Sequence, residues 1–582
     1  MKSLKYSIAI TSFALLSASA ASAANYVYGN TESVYDNRSM NRESNWFEVA
    51  TFEGLTGYTG LTTVGNHETD FLPSAGDNLL VKNFNSSDFA GGVYNPAAPL
   101  SSASGDVYNI AEHSFGFPST PGGTNLFEVN NLTISIDPTY VIGDSPTANP
   151  NDRNMLWRAG NGIPEGTGVA EGKIKINGTL ALEKAARVNI QGNIESGYNW
   201  QFALIDINKL SITSDGGTSK LQFSDHIKEV RIGTVDNGSG VQIANGENSV
   251  VGNGSQFHVY VNENTGSDFY IGNFTAEQGS DMHLRGATFN FVGDTVFSGN
   301  AIVLHHDATT IKGDITFTNT SSFDFREGSF IGIARNAGGF SMASNENPTH
   351  NAIFNGQMIN SGTFHFGRGI FTGDVENSGT LLLSRGDSCE ALDVAKMMAN
   401  IVNNGTMIAR TDVAFKGSLQ VNAGSSTEFQ ADAKGDFSNE RVFLNDAKIY
   451  ASGDSRLTFN NTQVVYNLAS GSGASMLEVA GVANIDALSD IIATDFAFMN
   501  ISGGQFDLIK FNDGNMYSSL IALIGSTFEY VDAATFDLYE GTFFENGSGV
   551  FAIEFVLIPE PSTYAAIFGI LALALAAYRR RK

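Results

Sequence analysis

The sequence predicts an all-β chain: a parallel β-helix, or solenoid, with a single C-terminal transmembrane helix, and with a row of β-sandwich domains as the alternative. Three observations predict it. Apolar and polar residues alternate over short stretches, as at Leu132, Ile134 and Ile136 after Asn130-Asn131. These stretches end at Asn-Gly or Gly-Asx pairs, which signal turns, and no long amphipathic helical pattern interrupts them. One segment also repeats: Phe354-Asn355-Gly356-Gln357-Met358-Ile359-Asn360-Ser361-Gly362-Thr363-Phe364 returns 17 residues later as Phe371-Thr372-Gly373-Asp374-Val375-Glu376-Asn377-Ser378-Gly379-Thr380-Leu381.

Composition agrees. The 582 residues are 42% hydrophobic and only 16% charged, with 42 Phe and 18 Tyr, so core material is ample and the chain is unlike a disordered one. Sixty-three glycines and many Asn, Ser and Thr favour short strands and turns. The formal charge is −27, and setting aside Lys2, Lys5, Arg579, Arg580, Arg581 and Lys582 takes the rest to −33. Such a surface repels phosphate backbones, which excludes nucleic acid as a partner. It suits solvation, divalent cations, or neutral or cation-bridged polysaccharide. With Cys389 alone, no intramolecular disulfide forms, and packing and backbone hydrogen bonds must hold the fold.

Residues 1–24 read as a secretory signal peptide. Lys2 and Lys5 precede the apolar run Ile8 to Leu16, and Ala21-Ser22-Ala23 fits the small-x-small pattern cut by signal peptidase. Residues 25–125 are loop-rich, with clusters such as Pro96-Ala97-Ala98-Pro99, and are expected to cap the first coil. An open solenoid end would otherwise expose strand edges and aggregate.

Residues 126–555 are the expected solenoid. Ile174, Ile176, Leu180 and Leu182 flank Asn177-Gly178-Thr179, and Val188 and Ile190 precede Gln191-Gly192-Asn193. The 17-residue unit has partial relatives at Ile311-Lys312-Gly313-Asp314-Ile315, Asn404-Gly405-Thr406-Met407 and Phe415-Lys416-Gly417-Ser418-Leu419. Each unit cannot bury its own apolar face, whereas stacking on its neighbours does so. At about 20 residues per coil, on the order of 25 coils are expected. Asn and Gly are expected at corners for their tolerance of positive φ. The spelling Asn-Ser-Gly-Thr-apolar resembles the degenerate repeats of autotransporter passengers and other β-helical bacterial surface proteins. Residues 470–555 are more apolar and are expected to close the far end.

Residues 556–582 form the tail. Pro559-Glu560-Pro561 leads to the apolar run Tyr564–Tyr578 and then to Arg579, Arg580, Arg581 and Lys582. The run is 15 residues, about 22 Å as a helix at 1.5 Å per residue, which is short for a span. Snorkelling arginines and local thinning make a span over 564–578 tolerable, with the basic end cytoplasmic. The order of these parts resembles the PEP-CTERM sorting domain. That resemblance implies processing by an exosortase in a Gram-negative bacterium that makes extracellular polysaccharide.

No catalytic constellation is legible, and neither enzyme activity nor a cofactor is expected. A hydrolase of the β-helical polysaccharide type needs paired carboxylates, and no Asp-Asp pair or Gly-His-Gly occurs. His305-His306-Asp307 is the densest histidine group, but neighbours on a strand point to opposite faces. His365 reads as a surface strand residue, and Trp46, Trp157 and Trp200 read as core. Ser214-Asp215-Gly216-Gly217 is one turn, not a calcium-binding repeat series. The expected function is an exported structural or adhesive surface protein associated with exopolysaccharide, and the alternative is a polysaccharide lyase or hydrolase on the same scaffold.

Overall fold

A computed structural model describes residues 23–28, 46–53, 55, 74–82, 113–114, 124–136, 155–158, 170–195, 198–261, 266–303, 309–342, 352–367, 369–384, 395–430, 433–452, 456–459, 462–479, 496–512, 516, 518–532, 535–547, 549–559 and 561–580. The body is a parallel β-helix. The coil Ala352–Phe366 shows the plan. Strand Ala352–Asn360 turns a corner at Gly356-Gln357, and a second corner at Ser361-Gly362 leads into strand Thr363–Phe366. Ala352, Phe354, Met358, Asn360, Phe364 and Phe366 point inward and are buried. The coil therefore has three faces: 352–355, 358–360 and 363–366.

Each face is a ladder of parallel strands from successive coils. The second face runs from Asn25–Tyr28 to Phe496–Met499, and seventeen described strands succeed one another along it. At about 4.8 Å per strand, the stack is roughly 75 Å long. The first face runs from Thr124–Val129 to Arg456–Thr458, and the third from His113–Ser114 to Gly504–Phe511. The strands foreseen at Ile174–Leu182, Leu132–Ile136 and Val188–Ile190 all turn these side chains into the core.

Two expectations change. The described residues form seventeen second-face strands where about 25 coils were expected, and the earliest of these are widely spaced: Asn78 stacks on Asn25 and Asn131 on Asn78, each 53 residues apart. Farther along, the spacing falls to 24, 17 and 26 residues. Residues 25–28 and 78–82, expected within a cap, already belong to the ladder. The first edge is instead covered by Trp46–Val49, which pairs antiparallel with Asn25–Tyr28.

The far end, expected to close over 470–555, keeps Met476–Val479 and Phe496–Met499 in the parallel ladder and closes beyond them with an antiparallel sheet. Gly504–Phe511 leaves the parallel ladder and pairs antiparallel with Val550–Leu557, which pairs with Leu538–Glu545 and through it with Thr527–Val531. The Tyr530 hydroxyl accepts from Phe498 N at 2.8 Å and donates to Phe498 O at 3.0 Å. One phenol thus satisfies backbone groups of the last second-face strand that a further coil would have paired.

The repeated motif has a specific physical meaning. Asn336, Asn360, Asn377 and Asn403 are buried at the corner after the second face and form one hydrogen-bonded row. Each side-chain amide donates to the next Oδ1, at 2.7, 2.7 and 2.8 Å, and Asn403 ends the row on Thr427 Oγ1 at 2.9 Å. The other amide hydrogen reaches a backbone carbonyl of the next coil, Thr363, Thr380 or Thr406, each at 3.0 Å. The row begins at Phe317, the coil neighbour of Asn336, which offers no donor, and Asn336 Oδ1 has no hydrogen-bond partner.

The glycines of the motif serve close approach rather than positive φ. A Cβ on Gly379 would lie 2.1 Å from Gly362 O, and one on Gly373 would lie 1.2 Å from Gly356 O. Coil backbones touch at these corners, so a side chain does not fit. Phe354 fills the interior between Phe330 and Phe371, its ring stacked at 4.7 and 4.5 Å.

Asn377→Ala removes three hydrogen bonds of the row, those from the Asn360 amide, to Asn403 Oδ1 and to Thr406 O, leaving Asn403 Oδ1 with Gly405 N alone, and a loss of about 2–4 kcal/mol is expected. A lower urea midpoint, beside a near-neutral change for the exposed Ser378→Ala, is the measurement. A Gly373→Ala chain unfolding at the wild-type midpoint would contradict the backbone contact at that corner.

Candidate functional site

Inward positions are occupied by the core, so chemistry must use outward positions. On the third face, strands Gln256–Tyr260 and Asp281–Arg285 lie in register: Gln256 faces Asp281, His258 faces His283, and Tyr260 faces Arg285. Phe257, Val259, Met282 and Leu284 point into the core, which turns the residues between them outward. One coil of spacing therefore sets the two imidazoles face to face, with ring centroids 4.1 Å apart and an interplanar angle of 8°.

Asp281 joins the pair. Its Oδ2 lies 3.3 Å from His258 Nε2 and its Oδ1 lies 3.4 Å from His283 Nε2. On the other side, the Tyr260 hydroxyl meets His283 Nδ1 and lies 3.4 Å from His258 Nδ1. A carboxylate only accepts, so the Nε2 atoms facing Asp281 donate, and the single hydroxyl hydrogen of Tyr260 reaches one Nδ1 at a time. His258 is 5% exposed although it is on the outward side. Burial pushes its pKa down to about 4 against the pull of Asp281, aided by the charges of His283 and Lys220. Burial alone would raise the Asp281 carboxyl, but hydrogen bonds to His258 and His283 hold it below the usual range. Burial, then the Asp281 charge, raises the Tyr260 phenol. At neutral pH the Asp281 carboxylate therefore faces a neutral His258 imidazole, with the His283 ring and the Tyr260 phenol beside them. Among the described residues, His258, Asp281 and His283 form the one group of three such side chains whose ligand atoms all lie within 4.8 Å of one another.

Sequence reasoning missed this cluster, since it judged histidines by adjacency. The available signal was the pair of pentapeptides Gln-Phe-His-Val-Tyr and Asp-Met-His-Leu-Arg, 25 residues apart, one coil in this part of the chain.

The residues singled out from sequence are placed as follows. Trp46 and Trp157 are buried in the core. His365 is on the outward side, its Nε2 2.8 Å from Ser384 Oγ. Ser214 to Gly217 is a local turn with Gly216 at φ 75°. Ala23 is exposed at the start of the described chain, and Pro559 ends the segment after the last strand. Ala21, Cys389, His305, His306, Asp307, Glu560, Arg581 and Lys582 lie outside the described residues, as does the side chain of Trp200.

The tail is a helix, Pro561–Arg580, with Arg579 and Arg580 in its last turn. Ile567, Phe568, Ile570, Leu571, Leu573, Leu575 and Tyr578 are all exposed on it. Among the described residues, no helix is long and apolar enough to cross a membrane, so the span expected over 564–578 is not found there. The apolar run from Tyr564 to Tyr578 is 15 residues, short of the roughly 20 that a span takes. No protein-family model matches the chain, and neither a curated protein nor a solved structure matches it.

The depressed His258 pKa sets a pH dependence. The folded state binds fewer protons than the unfolded one, so this contribution to stability is complete above about 6.5 and is lost as pH falls toward about 4. Between those values the urea midpoint of the wild type is expected to fall more than that of His258→Gln. Parallel pH profiles for the two proteins would contradict the assignment.

Proposed function

We propose that this chain is an exported structural or adhesive protein of a bacterial envelope, sorted through its C-terminal tail and working outside the cell against extracellular polysaccharide. The observation that carries the reading is the tail itself. Pro559 precedes, and Pro561 begins, a helix whose described apolar side chains have no protein cover and whose last turn carries arginines. An uncovered apolar helix needs a non-aqueous partner. A bilayer surface supplies one, with Arg579 and Arg580 at the phosphate level. The prolines keep the preceding segment extended for a processing enzyme of the exosortase type.

The body suits the same role. A rod of roughly 75 Å, at about 4.8 Å per coil, displays outward side chains at a fixed spacing, which favours many weak contacts along a polymer. The acidic excess of 60 Asp and Glu over 33 Lys and Arg keeps such a rod soluble and turns away nucleic acid. Part of that charge is paired between coils, as in Lys175 Nζ to Glu128 Oε1 at 2.8 Å.

Replacing Pro559, Glu560 and Pro561 by alanines in the source bacterium is expected to leave unprocessed precursor in the membrane fraction, read by immunoblot. Release unchanged from wild type would overturn the sorting role. Deleting residues 564–582 is expected to yield a protein that leaves without a membrane-bound intermediate.

A further inference from the structure

We propose that His258, His283 and Asp281 bind one divalent transition-metal ion of the zinc type, clipping two successive coils together on the outward side of the third face. The spacing is that of ligands around a metal. Two atoms each about 2.0–2.1 Å from a tetrahedral ion lie about 3.4 Å apart. The two Nε2-to-carboxylate distances are 3.3 and 3.4 Å, longer than the usual 2.9–3.0 Å of an N–H···O hydrogen bond. Two imidazoles and one carboxylate are a donor set that zinc, copper and nickel accept and that calcium and magnesium do not favour.

The surroundings complete the site. A metal-bound imidazole holds its other nitrogen in a hydrogen bond that fixes its orientation, and the Tyr260 hydroxyl stands at both Nδ1 atoms. Binding requires each Nε2 to give up its proton, the ring's remaining hydrogen standing on Nδ1. The phenol accommodates that change, because it accepts from an Nδ1–H as readily as it donates to a bare Nδ1. The rings lie parallel, with lone pairs side by side, so they must tilt toward Asp281 about their soft χ2 torsions. Three protein ligands leave a fourth position for water or an external anion. Lys220 stands in register one coil before Gln256, and Arg285 stands opposite Tyr260, so that position favours a negative ligand over a second cation.

The test uses the full chain purified without a histidine tag, titrated with Co²⁺ and Zn²⁺ in excess Ca²⁺ to suppress diffuse binding by surface acids. One Co²⁺ per chain is expected, with visible absorption of tetrahedral intensity, displaced by Zn²⁺. His283→Ala and Asp281→Asn are each expected to weaken binding at least tenfold and to abolish the band. Tyr260→Phe is expected to weaken it by about tenfold while keeping the band. His365→Ala, on another coil, is expected to bind as wild type. Circular dichroism separates loss of ligand from loss of fold, and His283→Gln serves as the milder variant if His283→Ala does not fold. Absence of stoichiometric uptake by the wild type, or uptake by folded His283→Gln equal to wild type, would overturn the site.

Discussion

The stacking of one coil on the next is the constraint from which the other features follow. Parallel strands fix neighbouring coils at about 4.8 Å, so every residue is pressed against the residue at the same position one coil away. A buried amide satisfies this arrangement only if its neighbour offers both a donor and an acceptor, and another asparagine does. The Asn336–Asn360–Asn377–Asn403 row is that solution, with Thr427 closing its far end. Phenylalanine satisfies it by stacking, and glycine by allowing two backbones to touch. The motif is thus a vertical contact spelled along the chain.

The same constraint explains the ends. A coil without a neighbour leaves a row of unpaired backbone groups. The protein covers one edge with the antiparallel Trp46–Val49 and the other with the antiparallel sheet through Val550–Leu557, where Tyr530 and Tyr539 bond to backbone atoms of 498 and 501. With one described exception, Asn336 Oδ1, the asparagine row is fully bonded, and the exception falls where the row meets Phe317.

Outward positions are free of the packing requirement but not of the stacking. A residue type repeated one coil later becomes a contact pair, whatever the intervening sequence. His258 and His283 meet for that reason, and Asp281 and Tyr260 reach them from the same two strands. Functional side chains in such a fold are found by adding the local coil length to a residue number. That length varies, 53 residues at the start and 17 at the tightest point, so the addition is blind until the register is known.

Alternation and turn pairs in the sequence determined that the chain is β-structured, and the Phe–Gly–Asn–Gly period determined that it coils, because these signals are local and recur within a few residues. The same local reading located the inward set Ile174, Ile176, Leu180 and Leu182. Only the tertiary structure decided the lengths of the described coils, the steric reason for Gly373 and Gly379, and the meeting of His258 with His283. Each depends on which residues become neighbours across a coil, and that register arises from the long insertions between strands, whose lengths no single strand encodes.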